Sequence, residues 1–156
     1  MSVQPIPEGR HSITASLNIK GAAKAIEFYK KTFGATELFS LKSPEGLTMH
    51  AEMQIGDSVF CLSEEMPEIH AVSPLSVGGC PTLLRLYVKD CDAVFQQAID
   101  AGCEVLMPME NQFWGDRVGG VRDPFGYRWN IATHVEDITL DELAKRAEAA
   151  MQQQTQ

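Results

Sequence analysis

One stretch of this chain is written twice, and the repeat limits the folds that the chain can adopt. The segment IKGAAKAIEFYKKTFGATEL (19–38) is echoed by VKDCDAVFQQAIDAGCEVL (88–106), which is one residue shorter and begins 69 positions later. Further on, GDSVFCL (56–62) is answered by GYRWNI (126–131) at a similar distance. A repeat of this length predicts a repeated structural unit.

Both copies show the same order of predicted elements. Apolar and polar residues alternate in HSITASLNIK (11–20), which predicts a strand. The next segment, GAAKAIEFYKKTFGA (21–35), has apolar residues at helical spacing and a glycine, Gly34, where the helix is expected to end. Three strand-like runs separated by turn residues complete each copy. We therefore expect an α+β fold built from two βαβββ modules.

The predicted elements divide the chain into four parts. These are a first module at 11–65, a Pro-, Gly- and Ser-rich linker at 66–81, a second module at 82–135, and a C-terminal helix and tail at 136–156. The last part contains Thr139 and Glu142, which have the spacing of a helix capping box. At 156 residues and 44% hydrophobic, the chain is long and apolar enough to bury a core, so we expect one domain overall.

Charge and composition exclude several classes of protein. A net charge of −8 opposes binding to nucleic acid and to an anionic membrane surface. No apolar run reaches the length of about 18 residues that a membrane span needs, and the segment MSVQPIPEGRH lacks the hydrophobic part of a secretory signal. The four cysteines show no clustered spacing, so we expect free buried thiols and a reducing, cytoplasmic location.

Several of these motifs together resemble the vicinal oxygen chelate superfamily, which includes glyoxalase I, bleomycin-resistance proteins and extradiol dioxygenases. They are the doubled βαβββ order, AAKAIEFYKKTFGA after the first strand, QFWGDR, and the closing DPFGYRWNI. The segment MHAEMQIGDSVFCLSEE (49–65) is most similar to the PhnB-like branch. Over residues 11–135 the resemblance implies that each module curls into a half-barrel of curved mixed sheet, and that the two form a ligand cleft. It also implies a homodimer, because single-chain members commonly pair across a two-fold axis.

The resemblance implies positions for metal ligands, and this chain does not keep the ligands. In the family they are a His or Gln early in the first strand of a module and a Glu in its last strand. Those positions fall on Thr14 and Leu83 in the first strands, on Asn130 in the last strand of the second module, and on Phe60 or Leu62 in the first. Thr and Asn alone bind divalent ions weakly, so the template predicts no metal site.

Strand periodicity indicates which other side chains line the expected cleft. Residues two apart on a strand share a face, so Thr48, His50, Glu52 and Gln54 are expected on one side, opposite Met49. His50 and Glu52 are candidates for general acid–base catalysis, and with His134 they form an alternative metal site. An ordinary ion-pair network is the competing interpretation. The expected ligand-binding residues are Phe60, Arg85, Tyr87, Phe113, Trp114, Arg128 and Asn130.

The loop between two predicted strands of the second module allows two interpretations. Trp114 either forms a stacking wall for a planar ligand or closes the end of the barrel, with Asp116 and Arg117 fixing the turn. The pair Gly119 and Gly120 predicts a β-bulge, or a close approach of the backbone to a ligand.

Three functional hypotheses follow. The first is a protein that binds a small aromatic molecule in the cleft, for which the acidic net charge favours a cationic ligand. The alternative is a metal-dependent isomerase or lyase of glyoxalase type, in which a divalent metal ion polarises vicinal oxygens and His50 and Glu52 act as ligands or base. The third is an interaction domain that uses the fold only as a scaffold.

Overall fold

Each copy of the repeat forms one mixed four-stranded sheet with a helix on one face. The structure is a computed structural model that describes residues 3–154. In chain order its main elements are β1 (Ser16–Ile19), α1 (Ala22–Phe33), β2 (Thr36–Lys42), β3 (Thr48–Ile55), β4 (Ser58–Glu64), α2 (Pro74–Val77), β5 (Leu83–Tyr87), α3 (Cys91–Asp100), β6 (Glu104–Asn111), β7 (Asp116–Arg122), β8 (Arg128–His134) and α4 (Leu140–Gln154). The first sheet has the order β1-β4-β3-β2 and the second the order β5-β8-β7-β6, with β1 and β5 each parallel to its neighbour. The predicted α+β fold of two βαβββ modules with a C-terminal helix is confirmed.

The chain divides into two compact units at the peptide bond between Cys80 and Pro81. The segment 66–81, expected as a linker, contains a short 3-10 helix (Pro67–Ile69) as well as α2. The first strand is shorter than expected, since β1 begins only at Ser16.

In the first unit, α1 begins and ends where its local chemistry allows. The Glu64 carboxylate at the end of β4 accepts hydrogen bonds of 2.8 Å from the backbone N–H groups of both Gly21 and Ala22. A carboxylate at this end of a helix satisfies free N–H donors and interacts favourably with the helix dipole. At the other end Gly34 has a left-handed conformation, with φ of 66°. The buried stripe of the helix is Ala22, Ala25, Ile26, Tyr29, Thr32 and Phe33.

In the second unit, α3 is fixed to the sheet by side chains at its start. Asp90 caps the helix by accepting from the N–H of Ala93 at 3.0 Å. Thr133 on β8 accepts from the N–H of Cys91 at 3.0 Å and donates to the carbonyl of Val88 at 2.8 Å. One hydroxyl therefore joins the helix, the sheet and the intervening turn.

Gly119 allows the helix to pack closely on β7. A Cβ atom added there would lie 2.6 Å from the ring of Phe95 on α3, so only glycine leaves space for the aromatic ring. The expected bulge is not in β7, whose pairing with β8 is regular through Gly119 and Gly120. The irregularities lie instead in the facing strand β6, between Val105 and Glu110.

The DPFG turn is built around a buried carboxylate. Asp123 is 3% exposed and accepts hydrogen bonds of 2.9 Å from the N–H groups of Phe125 and Tyr127 and from the indole Nε1 of Trp129. The same residue therefore shapes the turn and fixes the buried side chain of Trp129.

The C-terminal helix has the expected cap at its start. Thr139 Oγ1 accepts from the N–H of Glu142 at 3.2 Å, whereas the Glu142 side chain pairs with Arg146 one turn later. Arg146 also makes two hydrogen bonds of 2.8 Å with Glu136, which ties the helix to the segment before it. Among residues 3–154, the structure contains no helix with the length and apolar character needed to cross a membrane.

Candidate functional site

The helix-free face of each sheet, opposite α1 or α3, carries the half-exposed polar side chains. In the first unit Glu52 on β3 lies directly across from Cys61 on β4, and His50 lies two residues before Glu52 on the same strand. Directly paired residues, and residues two apart, share a face of a sheet. His50, Glu52 and Cys61 therefore form one cluster, called here the first-unit cluster.

The atoms of the first-unit cluster are close together. His50 Nε2 lies 3.8 Å from Glu52 Oε1, and one ligand atom from each of the three residues lies within 4.8 Å of the others. The ring of Phe39, on β2, contacts His50 with a centroid distance of 5.6 Å. Arg10, which precedes β1, donates a hydrogen bond from its guanidinium to Glu52. Burial and the neighbouring Glu52 charge raise the pKa of the Cys61 thiol, against a smaller lowering effect of Arg10.

Two expectations about the faces of the first sheet are wrong. Thr48 does not share the face of His50, because the pairing of β2 with β3 skips Met49: Leu41 pairs with His50 and Lys42 with Thr48. Thr48 is consequently 1% exposed and Met49 is 40% exposed. Phe60, expected to contact a ligand, points to the helix side, where it is buried and meets the ring of Tyr29 edge-on at 5.8 Å.

Strand pairing identifies the residue at the remaining metal-ligand position of the family. In the first sheet Ser16 pairs with Cys61, and in the second sheet Arg85 pairs with Asn130. Arg85 lies 69 positions after Ser16, and Asn130 lies 69 positions after Cys61, so the two pairs are equivalent in the repeat. The counterpart of Asn130 is therefore Cys61, rather than Phe60 or the fully buried Leu62. With an exposed Thr14 and the apolar Leu83 at the other positions, the side chains do not fit the ligand set implied by the resemblance.

In the second unit, one end of the helix-free face is basic. Arg85 on β5 pairs with Asn130 on β8, and Arg128 lies on the same face two residues before Asn130. Arg128 has no ion-pair partner among residues 3–154, whereas the neighbouring Arg122 pairs with Glu104 at 2.8 Å. Arg85, Arg128 and Asn130 are called here the basic patch.

The other end of this face is organised around Asp116, the first residue of β7. Its carboxylate is buried and accepts hydrogen bonds from Tyr87 Oη at 2.7 Å and from the indole Nε1 of Trp114 at 3.2 Å. Both of these bonds end on Oδ2, and Arg85 Nη1 lies 3.6 Å from the same oxygen. His134 Nδ1 lies 2.8 Å from Oδ1. We call Asp116, Tyr87, Trp114, His134 and Arg85 the Asp116 cluster; Arg85 belongs to the basic patch as well.

The electrostatics of this cluster favour a charged pair. Burial by itself raises the pKa of Asp116, but hydrogen bonds from His134, Tyr87 and Trp114 outweigh it and hold that pKa below its usual value. Hydrogen bonds to Asp116, and to Asp137 at 2.9 Å on Nε2, raise the pKa of His134. The imidazole is thus held between two carboxylates.

The geometry bears on the interpretation in which Asp116 and Arg117 fix the turn beside Trp114. Asp116 does fix the loop, since it binds the Trp114 indole, but Arg117 pairs with Asp92 on α3 through two hydrogen bonds instead. Phe113 is 36% exposed and meets Trp114 edge-on at 5.0 Å.

Sequence reasoning missed Arg10, Cys61 and the central role of Asp116. Asp116 directly follows a Trp-Gly turn at the start of a strand, and that position beside two aromatic residues was the available signal. Arg10 and Cys61 offered none, because their neighbours Glu52 and His50 are distant in sequence. His134 belongs to the second unit, whereas Cys61 stands next to His50 and Glu52 within the first.

Comparison with known proteins agrees with the fold. The model of the glyoxalase/bleomycin resistance protein/dioxygenase superfamily matches residues 11–131. An uncharacterized protein of Mycobacterium bovis is 38% identical over 146 residues, which cover 92% of this chain and 93% of that protein.

Two solved structures illustrate the variety of proteins with this fold. A putative 3-demethylubiquinone-9 3-methyltransferase, PhnB protein, from Bacillus cereus has a TM-score of 0.63 at 19% identity, covering 79% of this chain and 99% of that one. The fosfomycin resistance protein FosX from Listeria monocytogenes, complexed with Mn(II) and sulfate, has a TM-score of 0.61 at 18% identity, covering 88% and 97%. The match of the family model and the identity to the mycobacterial protein together show that this chain belongs to the glyoxalase/bleomycin resistance protein/dioxygenase superfamily.

Proposed function

We propose that this protein binds a small aromatic molecule with an anionic group, which contacts the basic patch while its ring lies against Tyr87. The observation that carries the proposal is the guanidinium of Arg128, which has no acidic partner among residues 3–154 and stands beside Arg85 and the Asn130 amide. Two guanidinium groups and an amide on one face suit a carboxylate or a similar planar anion.

The local charges and the net charge point to different ligands. The net charge of −8 favours a cation, and this face carries Glu104, which pairs with Arg122, as well as the carboxylate of Asp116. That carboxylate, however, already accepts from Tyr87, Trp114 and His134, so few of its lone pairs are free for a ligand. We therefore assign the ligand charge from the basic patch.

The aromatic part of the proposal rests on Tyr87, Trp114 and Phe113. Tyr87 is 55% exposed, and its hydroxyl is fixed by Asp116, which holds the ring in one position. A fixed and exposed ring offers apolar area to a planar ligand at little cost in side-chain entropy. Trp114 shares the same carboxylate oxygen and provides a fluorescent reporter for binding.

The test compares aromatic probes of similar size and different charge. Binding of 2-naphthoate, 2-naphthylmethanol and 2-naphthylmethylammonium is measured by calorimetry and by quenching of tryptophan fluorescence. We expect the carboxylate to bind most tightly, and Arg128→Ala and Arg85→Ala each to weaken it about tenfold or more, because each removes a charge-assisted hydrogen bond. Lys145→Ala, which makes the same charge change on exposed α4, is the matched control.

Two results would contradict the proposal. One is equal affinity for the cationic and anionic probes with no effect of Arg128→Ala. The other is quenching that persists unchanged in Trp114→Phe, since the signal would then come from Trp129 in the core.

The first-unit cluster supports the alternative of a metal-dependent isomerase or lyase. The observation that favours it is the short distance between His50 and Glu52, with Cys61 alongside. Turnover of vicinal-oxygen substrates that requires an added divalent ion and is lost in Glu52→Gln would support this function in place of simple binding.

Assembly, branch and location remain proposals that rest on the resemblance and the composition. We propose a homodimer, a place in the PhnB-like branch and a cytoplasmic location. Light scattering coupled to gel filtration distinguishes a dimer from a 17.2 kDa monomer, and a monomer at all concentrations would contradict the first of these.

A further inference from the structure

We infer that His50, Glu52 and Cys61 form a zinc-binding site on the helix-free face of the first sheet, and that Arg10 competes with the ion for Glu52. Of these three residues, only Cys61 coincides with a metal-ligand position implied by the family resemblance; His50 and Glu52 on β3 do not. The inference concerns the metal alone and does not depend on the ligand proposed for the second unit.

The backbone already places the three side chains together. Glu52 and Cys61 are directly paired on neighbouring antiparallel strands, and His50 is one pleat along β3 on the same face. Pairing between β3 and β4 is regular at Glu52 and Cys61, whereas the pairing of β3 with β2 shifts register beside Glu52 and again at Met49, next to His50. The cluster therefore stands on paired strands rather than on a loop.

The distances suit a zinc ion after small side-chain rotations. Ligand atoms around tetrahedral zinc lie roughly 3.3–3.8 Å apart, given bonds of about 2.0–2.3 Å. His50 Nε2 and Glu52 Oε1 are 3.8 Å apart, and all three ligand atoms lie within 4.8 Å of one another. No two of the three ligand atoms therefore need to approach by more than about 1.5 Å, which rotation about side-chain bonds provides.

The donor set selects the class of ion. The thiolate is a soft ligand and the imidazole a borderline one, and together with a single hard carboxylate they prefer zinc over magnesium, calcium or manganese. Three protein ligands leave the fourth position of a tetrahedral ion open for water or a small molecule, as in catalytic rather than structural zinc sites.

Arg10 explains how Glu52 is balanced without an ion. Glu52 is 19% exposed, and the guanidinium of Arg10 supplies the positive charge that a half-buried carboxylate needs. A divalent ion on the same oxygens would repel the guanidinium and release Arg10, together with the chain segment before β1. Arg10 is therefore expected to weaken zinc binding, and its removal to strengthen it.

The experiment measures metal binding to tag-free, chelator-treated full-length protein. Calorimetric titration with zinc is expected to show one ion per chain, with no competition from magnesium. Titration with cobalt(II) as a spectroscopic substitute is expected to give a thiolate-to-cobalt charge-transfer band and the intense visible bands of tetrahedral cobalt.

The variants test each ligand and the competing arginine. Cys61→Ser and His50→Ala are expected to weaken zinc binding about 100-fold or more, and Cys61→Ser to abolish the charge-transfer band. Arg10→Ala is expected to tighten binding about tenfold, a gain that misfolding does not produce. Cys80→Ser and His70→Asn, which change the same residue types elsewhere in the unit, serve as controls and are expected to bind zinc like the wild type.

Three outcomes would overturn the inference. They are the absence of stoichiometric zinc binding, binding that is unchanged in Cys61→Ser and His50→Ala, and a cobalt spectrum without the thiolate band. Weaker binding in Arg10→Ala would overturn the proposed competition.

Discussion

The buried carboxylate of Asp116 lies 2.8 Å from Nδ1 of the exposed His134, and the pKa values of the two groups move in opposite directions. Asp116 is held below its usual pKa of 3.8 and His134 above its usual 6.5. The pair is therefore fully charged between these two values, and its contribution to stability depends on pH.

The first prediction is a loss of stability as the pH rises above neutrality. His134 binds its proton more tightly when folded, so its contribution is complete below pH 6.5 and disappears as the pH rises through its raised folded pKa. The contribution of Asp116 is complete above pH 3.8 and disappears as the pH falls through its lowered folded pKa. Urea unfolding of wild type and His134→Gln, from about pH 5 to about pH 9, is expected to show a stability difference that shrinks with rising pH. A difference that stays constant over this range would contradict the prediction.

The second prediction concerns the carboxylate of the DPFG turn. Asp123→Ala leaves the buried N–H groups of Phe125, Tyr127 and Trp129 without their acceptor. We expect the free energy of unfolding to fall by about 3 kcal/mol or more, measured by urea denaturation. Asp100→Ala, which removes an exposed carboxylate bonded to Gln96, is expected to change it by less than about 0.5 kcal/mol. Equal effects of the two changes would show that the buried turn does not stabilise the unit.

The third prediction tests the contact between β7 and α3. Gly119→Ala places a methyl group 2.6 Å from the Phe95 ring, and the backbone of Gly119 has no left-handed conformation that would add strain. We expect a loss of about 1–3 kcal/mol in thermal or urea unfolding. Gly79→Ala, where the new methyl group meets no atom within 4 Å, is the control. A smaller loss in the Phe95→Leu background would confirm the clash, and full additivity would contradict it.

The fourth prediction is a stabilising change at Thr48. Its hydroxyl is buried and has no hydrogen-bond partner among residues 3–154. Folding therefore removes its hydrogen bonds to water, and no hydrogen bond to these residues replaces them. Thr48→Val keeps the shape of the side chain and is expected to raise the free energy of unfolding by about 1 kcal/mol. Thr36→Val on exposed β2 is the comparison and is expected to be nearly neutral. A destabilised Thr48→Val would indicate that the hydroxyl bonds to a group outside the described residues or to water.

Local sequence patterns were sufficient for the fold and for much of the second unit. The repeat and its periodicities predicted the two βαβββ modules. Alternation along the strands predicted that Arg85 and Tyr87 on one strand share a face with Arg128 and Asn130 on a neighbouring strand. These inferences succeed because side-chain direction along a regular strand depends only on the local backbone.

Only the tertiary structure decided what depends on the pairing of strands. A bulge at Met49 moved Thr48 into the core, and the register of β4 turned Phe60 inward and Cys61 outward. A shift of one residue exchanges the two faces of a strand, and no local pattern reveals where such a shift occurs.

The candidate sites depend on contacts between residues that are far apart in sequence. The sequence by itself determined the modules, the helices and the alternation of side chains, because these follow from neighbouring residues. The contacts among Arg10, Glu52 and Cys61, and those among Tyr87, Asp116 and His134, were decided only when separate strands paired and the segment before β1 reached Glu52. Charges and hydrogen bonds act over a few ångströms in space, whatever the separation along the chain, so the chemistry of these clusters becomes visible only in the folded protein.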